Sequence, residues 1–184
     1  LENGNVIEKA GVNISAVYGQ LPESMQNYFN VGKVDFFACG LSLVIHPVNP
    51  MAPTVHANWR YFEMYDKTGT ICDQWFGGGL DLTPYYLFEE DVKYFHQTCK
   101  KVCDKYHPDY YSNFKQKCDS YFFNTHRNEA RGVGGIFFDY ESKNWEKNFK
   151  FISDLGVTFQ MLFNTIINRK YKKKWTSKEK ELQY

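Results

Sequence analysis

Between Ser42 and Phe62 the chain reads as two strands joined by a proline-rich connection, and the polar residues of each strand fall at even spacings. In a strand successive side chains point to opposite sides, so residues two apart share a face. Ser42, Val44 and His46 therefore share one face, with Leu41, Leu43 and Ile45 opposite. His56, Asn58, Arg60 and Phe62 share a face of the second strand, with Trp59 and Tyr61 opposite. A strand face carrying His, Asn and Arg in a row is not a normal core face; it is a surface suited to gripping an anion. Pro47, Pro50 and Pro53 lie between the strands. Proline removes a donor and fixes φ, so that segment is expected to be an extended loop.

The flanking pattern extends this into a fold. Asp35 to Ile45 is apolar and reads as a strand, His56 to Tyr65 as the next, and Thr70 to Phe76 as a third, after the turn residues Asp66 to Gly69. Gly77-Gly78-Gly79 follows, and Thr83 with Pro84 reads as a helix cap and first helical position. Helical spacing runs through Phe88, Val92, Phe95, Cys99, Val102 and Tyr106, then Tyr110, Phe114, Cys118 and Phe122. A longer helix is marked by Trp145, Phe149, Ile152, Leu155, Phe159, Leu162 and Ile166. Arg131 to Asp139 reads as a glycine bend feeding a short buried strand, residues 1–30 as mixed, and the lysine-rich stretch Arg169 to Lys180 as a solvated helix end. Strands first, then helices with a returning strand, predict an α+β fold with a mostly antiparallel sheet. At 184 residues the chain is expected to form one domain.

Composition excludes several classes. A formal charge of +1 gives no global field for nucleic acid or a membrane surface, and no apolar run is long enough to span a bilayer. Five cysteines, an odd number without a C-x-x-C pair, argue for a reducing compartment and against a disulfide framework or structural zinc. Leu1-Glu2-Asn3-Gly4 is neither a signal nor a transit peptide, so a cytoplasmic location is expected. The glycine triplet matches neither the dinucleotide nor the P-loop pattern.

The candidate residues each carry two readings. Arg60 either holds a ligand anion or closes an internal salt bridge, and Asn58 beside it favours the ligand. His46 and His56 bracket the proline loop and suit acid–base work or metal binding. With His96 and His126 they form a possible four-histidine set, although no short His spacing supports it. Asp81, after three glycines, either takes up a proton or bonds its own turn. Arg127, Glu129 and Arg131 are expected to pair among themselves.

Segments 42–50, 53–62, 75–84, 117–122 and 126–139 together resemble the oxygen-dependent coproporphyrinogen III oxidases, densely from about residue 8 to 140. The resemblance implies oxidative decarboxylation of two propionates of coproporphyrinogen III to vinyl groups in haem biosynthesis, with molecular oxygen as co-substrate, CO2 and H2O2 released, and no organic cofactor. It implies a large antiparallel sheet flanked by helices on both sides, and a homodimer. Ser42 matches a substrate contact, His56 the proton donor, Asn58, Trp59 and Arg60 the substrate-binding segment, and Asp81 an acid facing the pyrrole nitrogens. His46, His56, His96 and His126 match residues named as divalent-metal ligands in some bacterial members, so a metal stays an option rather than a requirement. Val48 stands where many members have Arg, and a C-terminal strand and dimer segment of the family are expected to be missing from residues 1–184. The alternatives are a metal-dependent oxygenase built on the four histidines and a porphyrin-binding fragment without catalysis. The mitochondrial intermembrane space is the alternative compartment.

Overall fold

Period-two alternation gives the sheet one face that can be buried under helices and one that cannot. The structure, a computed structural model, describes residues 1–183. Its elements are β1 (Ile7–Gln20), α1 (Glu23–Phe29), β2 (Asp35–Pro47), β3 (Thr54–Tyr65), β4 (Ile71–Thr83), α2 (Glu89–Asp104), α3 (Tyr110–Tyr121), β5 (Phe123–Asn124), β6 (Glu129–Ala130), β7 (Gly135–Glu141), α4 (Trp145–Lys170) and α5 (Ser177–Lys180). The main sheet is antiparallel throughout, in the order β1-β2-β3-β4-β7. β5 and β6 form a separate two-residue ladder.

Helices α2, α3 and α4 cover the face built from Val55, Ala57, Trp59, Leu80, Leu82, Ile136 and Phe138. Buried Phe95, Phe114, Phe151, Leu155 and Ile166 fill the space between. The opposite face is covered only at one end, where Leu21, Phe62, Met64 and Trp75 pack with Met25 and Phe29 around α1. Helices thus lie on both sides, as expected, but unequally. Beyond α1 the second face presents His56, Asn58 and Arg60 to a cavity, with no helix of the described residues packed over them.

Three expectations change. Residues 1–30 hold a long strand and a helix rather than mixed structure; β1 is an exposed edge strand, so its alternation is weak. β4 does not stop at Phe76 but runs through the glycine triplet to Thr83, which ends a strand instead of capping a helix. The glycines are needed because neighbouring backbones close in: a Cβ on Gly79 would overlap the Ile136 carbonyl oxygen.

The lysine-rich tail is the third. Lys170 is only 1% exposed. Its ammonium lies 2.8 Å from Glu90 and 2.9 Å from buried Asp91, over the Phe88 ring. Asn49, in the proline loop, places its Nδ2 2.9 Å from the Lys170 carbonyl and 2.8 Å from that of Lys173. The Lys170 carbonyl is the last of α4 and also accepts the Lys173 N–H at 2.9 Å, and Lys173 lies just beyond the helix. The loop is therefore locked onto α4, which fixes where β3 begins.

Removing Lys170 would leave buried Asp91 with Arg169 alone, 3.2 Å away, and one oxygen uncompensated. Lys170→Ala is expected to cost about 3 kcal/mol in urea unfolding. A loss below about 1 kcal/mol, the range of an exposed pair, would contradict this.

Candidate active site

Register builds the site. In the β3–β4 ladder His56 faces Asp81, Asn58 faces Gly79 and Arg60 faces Gly77. In the β2–β3 ladder Ser42 faces Asn58. In the β4–β7 ladder Gly79 faces Phe137. Paired residues share a face, so these side chains rise together from the uncovered side of the sheet. His56, Asn58, Arg60, Gly79, Asp81 and Phe137 line a cavity of about 310 Å³ with Tyr121, Phe122 and Arg131. Its floor at Gly79 has no side chain, while its wall is aromatic: Tyr121 stacks on Phe137 with ring centroids 4.4 Å apart.

Asp81 is 2% exposed, and both of its carboxylate oxygens are engaged. Oδ1 accepts from His56 Nδ1 at 2.8 Å, and Oδ2 pairs with Arg131 Nη2. A buried carboxylate needs such partners, since stripping its water without compensation is costly. The Arg131 guanidinium also stacks on Phe122, 3.7 Å from the ring centroid. The order Arg131, Asp81, His56 is that of an anchored acid holding an imidazole by one nitrogen. His56 Nε2 has no hydrogen bond among the described residues and is free to exchange a proton.

At the other end of the cavity, Arg60 Nη2 donates to Asp139 Oδ2 at 2.7 Å and Nη1 to Asn58 Oδ1 at 3.3 Å. Both readings of Arg60 therefore hold together: it closes an internal pair, yet its side chain stays 38% exposed. The remaining guanidinium N–H groups suit a carboxylate.

Several sequence expectations need correction. Trp59 does not reach the cavity: it is buried on the helix side and meets Phe159 edge-on at 5.7 Å. Alternation forces this, because its neighbours Asn58 and Arg60 take the cavity face. Arg131 leaves the expected self-paired cluster for Asp81, and only Arg127 and Glu129 pair with each other, at 3.4 Å. Asp81 lines the cavity with its oxygens paired to His56 and Arg131. Ser42 sits on the right face but does not line the cavity.

The four histidines do not form a ligand set. Among the described residues no three His, Cys, Asp or Glu side chains converge as metal ligands. His46 Nδ1 bonds Thr54 at 3.2 Å, and His126 is exposed in the β5–β6 connection. His96 sits on α2, across the sheet, with Nε2 3.0 Å from the Val133 carbonyl and Nδ1 3.0 Å from the Tyr111 hydroxyl. Both its nitrogens are already used.

A family model described as coproporphyrinogen III oxidase matches residues 1–184. A Drosophila melanogaster protein named oxygen-dependent coproporphyrinogen-III oxidase is 45% identical, covering 100% of this chain and 49% of its own length. The Coxiella burnetii protein of the same name is 46% identical, covering 100% of this chain and 60% of its own length. A Rattus norvegicus protein whose name adds "mitochondrial" is 45% identical, covering 98% and 43%. The chain spans about half the length of the curated relatives it matches.

His96 carries a pH dependence. Burial pushes its pKa below the ordinary value, and the Val133 carbonyl only partly offsets this; His46 is lowered as well, again by burial first. The folded state therefore binds these protons less readily than the unfolded chain. Stability is full above the unfolded value, about 6.5, and is lost as pH falls from there through the lower folded values. Thermal melts should drop as pH is lowered from about 7.5 to 5.5, and His96→Gln should flatten the slope. An unchanged slope in the variant would show that His96 does not contribute.

Proposed function

The chain belongs to the coproporphyrinogen III oxidase family, and on that footing we propose that it carries the acid–base and carboxylate-binding half of an oxygen-dependent coproporphyrinogen III oxidase. The reaction turns two propionates of coproporphyrinogen III into vinyl groups, giving protoporphyrinogen IX in haem biosynthesis. The protein acts as a homodimer, in the cytoplasm; five unpaired cysteines support a reducing compartment.

For each propionate the carbon next to the ring gives up hydrogen with its electron pair to oxygen. The bond to the carboxyl group breaks as CO2 leaves, and its electrons form the vinyl double bond. One proton completes H2O2. The electron-rich reduced tetrapyrrole stabilises positive charge at the reacting carbon, so the protein's work is orientation and proton supply. His56 delivers the proton from Nε2, held by Asp81, which Arg131 anchors in turn. Arg60 grips a propionate. The glycine floor lets a broad macrocycle lie close to the sheet, and Phe137, Tyr121 and Phe122 pack against it.

The observation that carries this proposal is one uncovered sheet face. It brings a tethered imidazole, a half-exposed guanidinium and a floor without side chains into one cavity.

The test mixes anaerobically prepared coproporphyrinogen III with full-length protein and oxygen, and separates the oxidised products by fluorescence chromatography. Oxygen-dependent protoporphyrin is expected from wild type. His56→Gln should lower kcat by about 100-fold or more, the range for a lost proton donor, with KM little changed. No conversion by wild type sinks the proposed activity. Near-normal kcat in the variant sinks the role of His56.

A further inference from the structure

β7 has one residue too many beside Arg60. Phe76 pairs with Glu141 and Gly78 with Phe138, so two steps along β4 face three along β7. The surplus falls at Asp139 and Tyr140, and Tyr140 has φ +61°. Left-handed backbone costs an aromatic residue of order 1 kcal/mol and persists only where the surroundings demand it. Here the Tyr140 ring is fixed 5.3 Å from Trp75 and 6.2 Å from Phe29. A bulge re-aims a neighbouring side chain. This one sends Asp139 Oδ2 to 2.7 Å from Arg60 Nη2, while Oδ1 accepts the Tyr140 N–H at 3.1 Å.

Opposite the bulge stands Gly77. A Cβ there would overlap Asp139 Oδ1 and lie 2.8 Å from Arg60 Nε. The surplus residue, the left-handed tyrosine and the missing side chain are separate features of two strands, and all three serve the same contact.

We propose that Asp139 is a positioning residue for Arg60: it fixes the guanidinium by Nη2 so that its remaining donors face the cavity and receive a substrate carboxylate. The proposal rests on the reading of the cavity given above. Of the five guanidinium N–H groups, Asp139 takes one and Asn58 another. Three remain, in a plane whose orientation two contacts determine. A carboxylate at this place has a second conceivable role, cancelling the charge of Arg60. The two roles have opposite signs. If Asp139 only cancels charge, its loss strengthens the grip on an anion; if it positions, its loss weakens it.

The experiment follows fluorescence of coproporphyrin III, the stable oxidised tetracarboxylate, on titration with full-length wild type, Asp139→Asn and Gly77→Ala. The tetramethyl ester serves as the uncharged control. Gly77→Ala breaks the pair from the opposite strand without altering any charge. The Nε–H resonance of Arg60, identified by its loss in Arg60→Lys, reports the guanidinium directly. Both variants are expected to weaken tetracarboxylate binding about tenfold, to leave ester binding unchanged and to shift the Arg60 resonance. In turnover the same change should appear in KM, with kcat held within about twofold. Tighter or unchanged binding in Asp139→Asn, or an unmoved Arg60 resonance, overturns the proposal. Wild type that binds neither porphyrin overturns the reading of the cavity itself. That outcome is told apart by the wild-type titration alone.

Discussion

The antiparallel register between β3 and β4 is the constraint on which the rest depends. It sets His56 opposite Asp81 and Arg60 opposite Gly77. A slip of one residue would exchange the two faces of β3, burying His56, Asn58 and Arg60 under α4 and exposing Val55, Ala57 and Trp59. The apolar face prevents the slip, because burying it against the helices contributes far more than any single polar contact. The chemistry of one face is thus specified by the hydrophobicity of the other. The capping of α4 by Asn49 strengthens this, since it ties the loop before β3 to the helix packed on Trp59.

Asp81 then couples the site to parts of the chain far from β4. Arg131 reaches it from the bend before β7, where Gly132 and Gly134 have φ of +61° and +71°. At Gly132 a Cβ would overlap the Leu82 carbonyl oxygen, so the bend can lie against β4 only with glycine there. Phe122, beneath the Arg131 guanidinium, follows the end of α3. The imidazole of His56 is therefore held by a chain of contacts through β4, the bend and α3. Removing His56 or Arg131 leaves the buried carboxylate short of a partner.

What the sequence made legible was local. The alternation across β3, the helical spacing of α2, α3 and α4, and the short strand after the glycine bend follow from period alone, and the structure bears them out. Arg60, Asn58, His56 and Asp81 were recognisable because charged or polar residues on a strand face break the usual pattern. The misses were long-range. Nothing in the Arg127–Arg131 segment signals that Arg131 leaves Glu129 for an aspartate 50 positions earlier. Lys170 sits in a lysine-rich run, and only the approach of α2 shows that it is buried. Trp59 was already placed on the opposite face by alternation; the resemblance assigned it to the substrate segment, and its side chain obeys the alternation. β1 carries apolar residues on an exposed edge, so burial gives it no clear period.

The two guanidinium–carboxylate pairs also set how the cavity treats an anion. Arg60 is balanced by Asp139 and Arg131 by Asp81, so neither end of the floor carries a net charge from its pair. With a formal charge of +1 over the whole chain, no strong field draws in a polyanion from a distance. Discrimination must then come at short range, from donor geometry and from the shape of the glycine and aromatic surface. A pair held rigidly suits that task better than an unpaired arginine. A free guanidinium would accept an anion in many orientations, whereas one fixed by Asp139 and Asn58 offers its remaining donors in one plane. The bulge in β7 supplies that orientation, at the cost of a strained tyrosine next to the cavity it shapes.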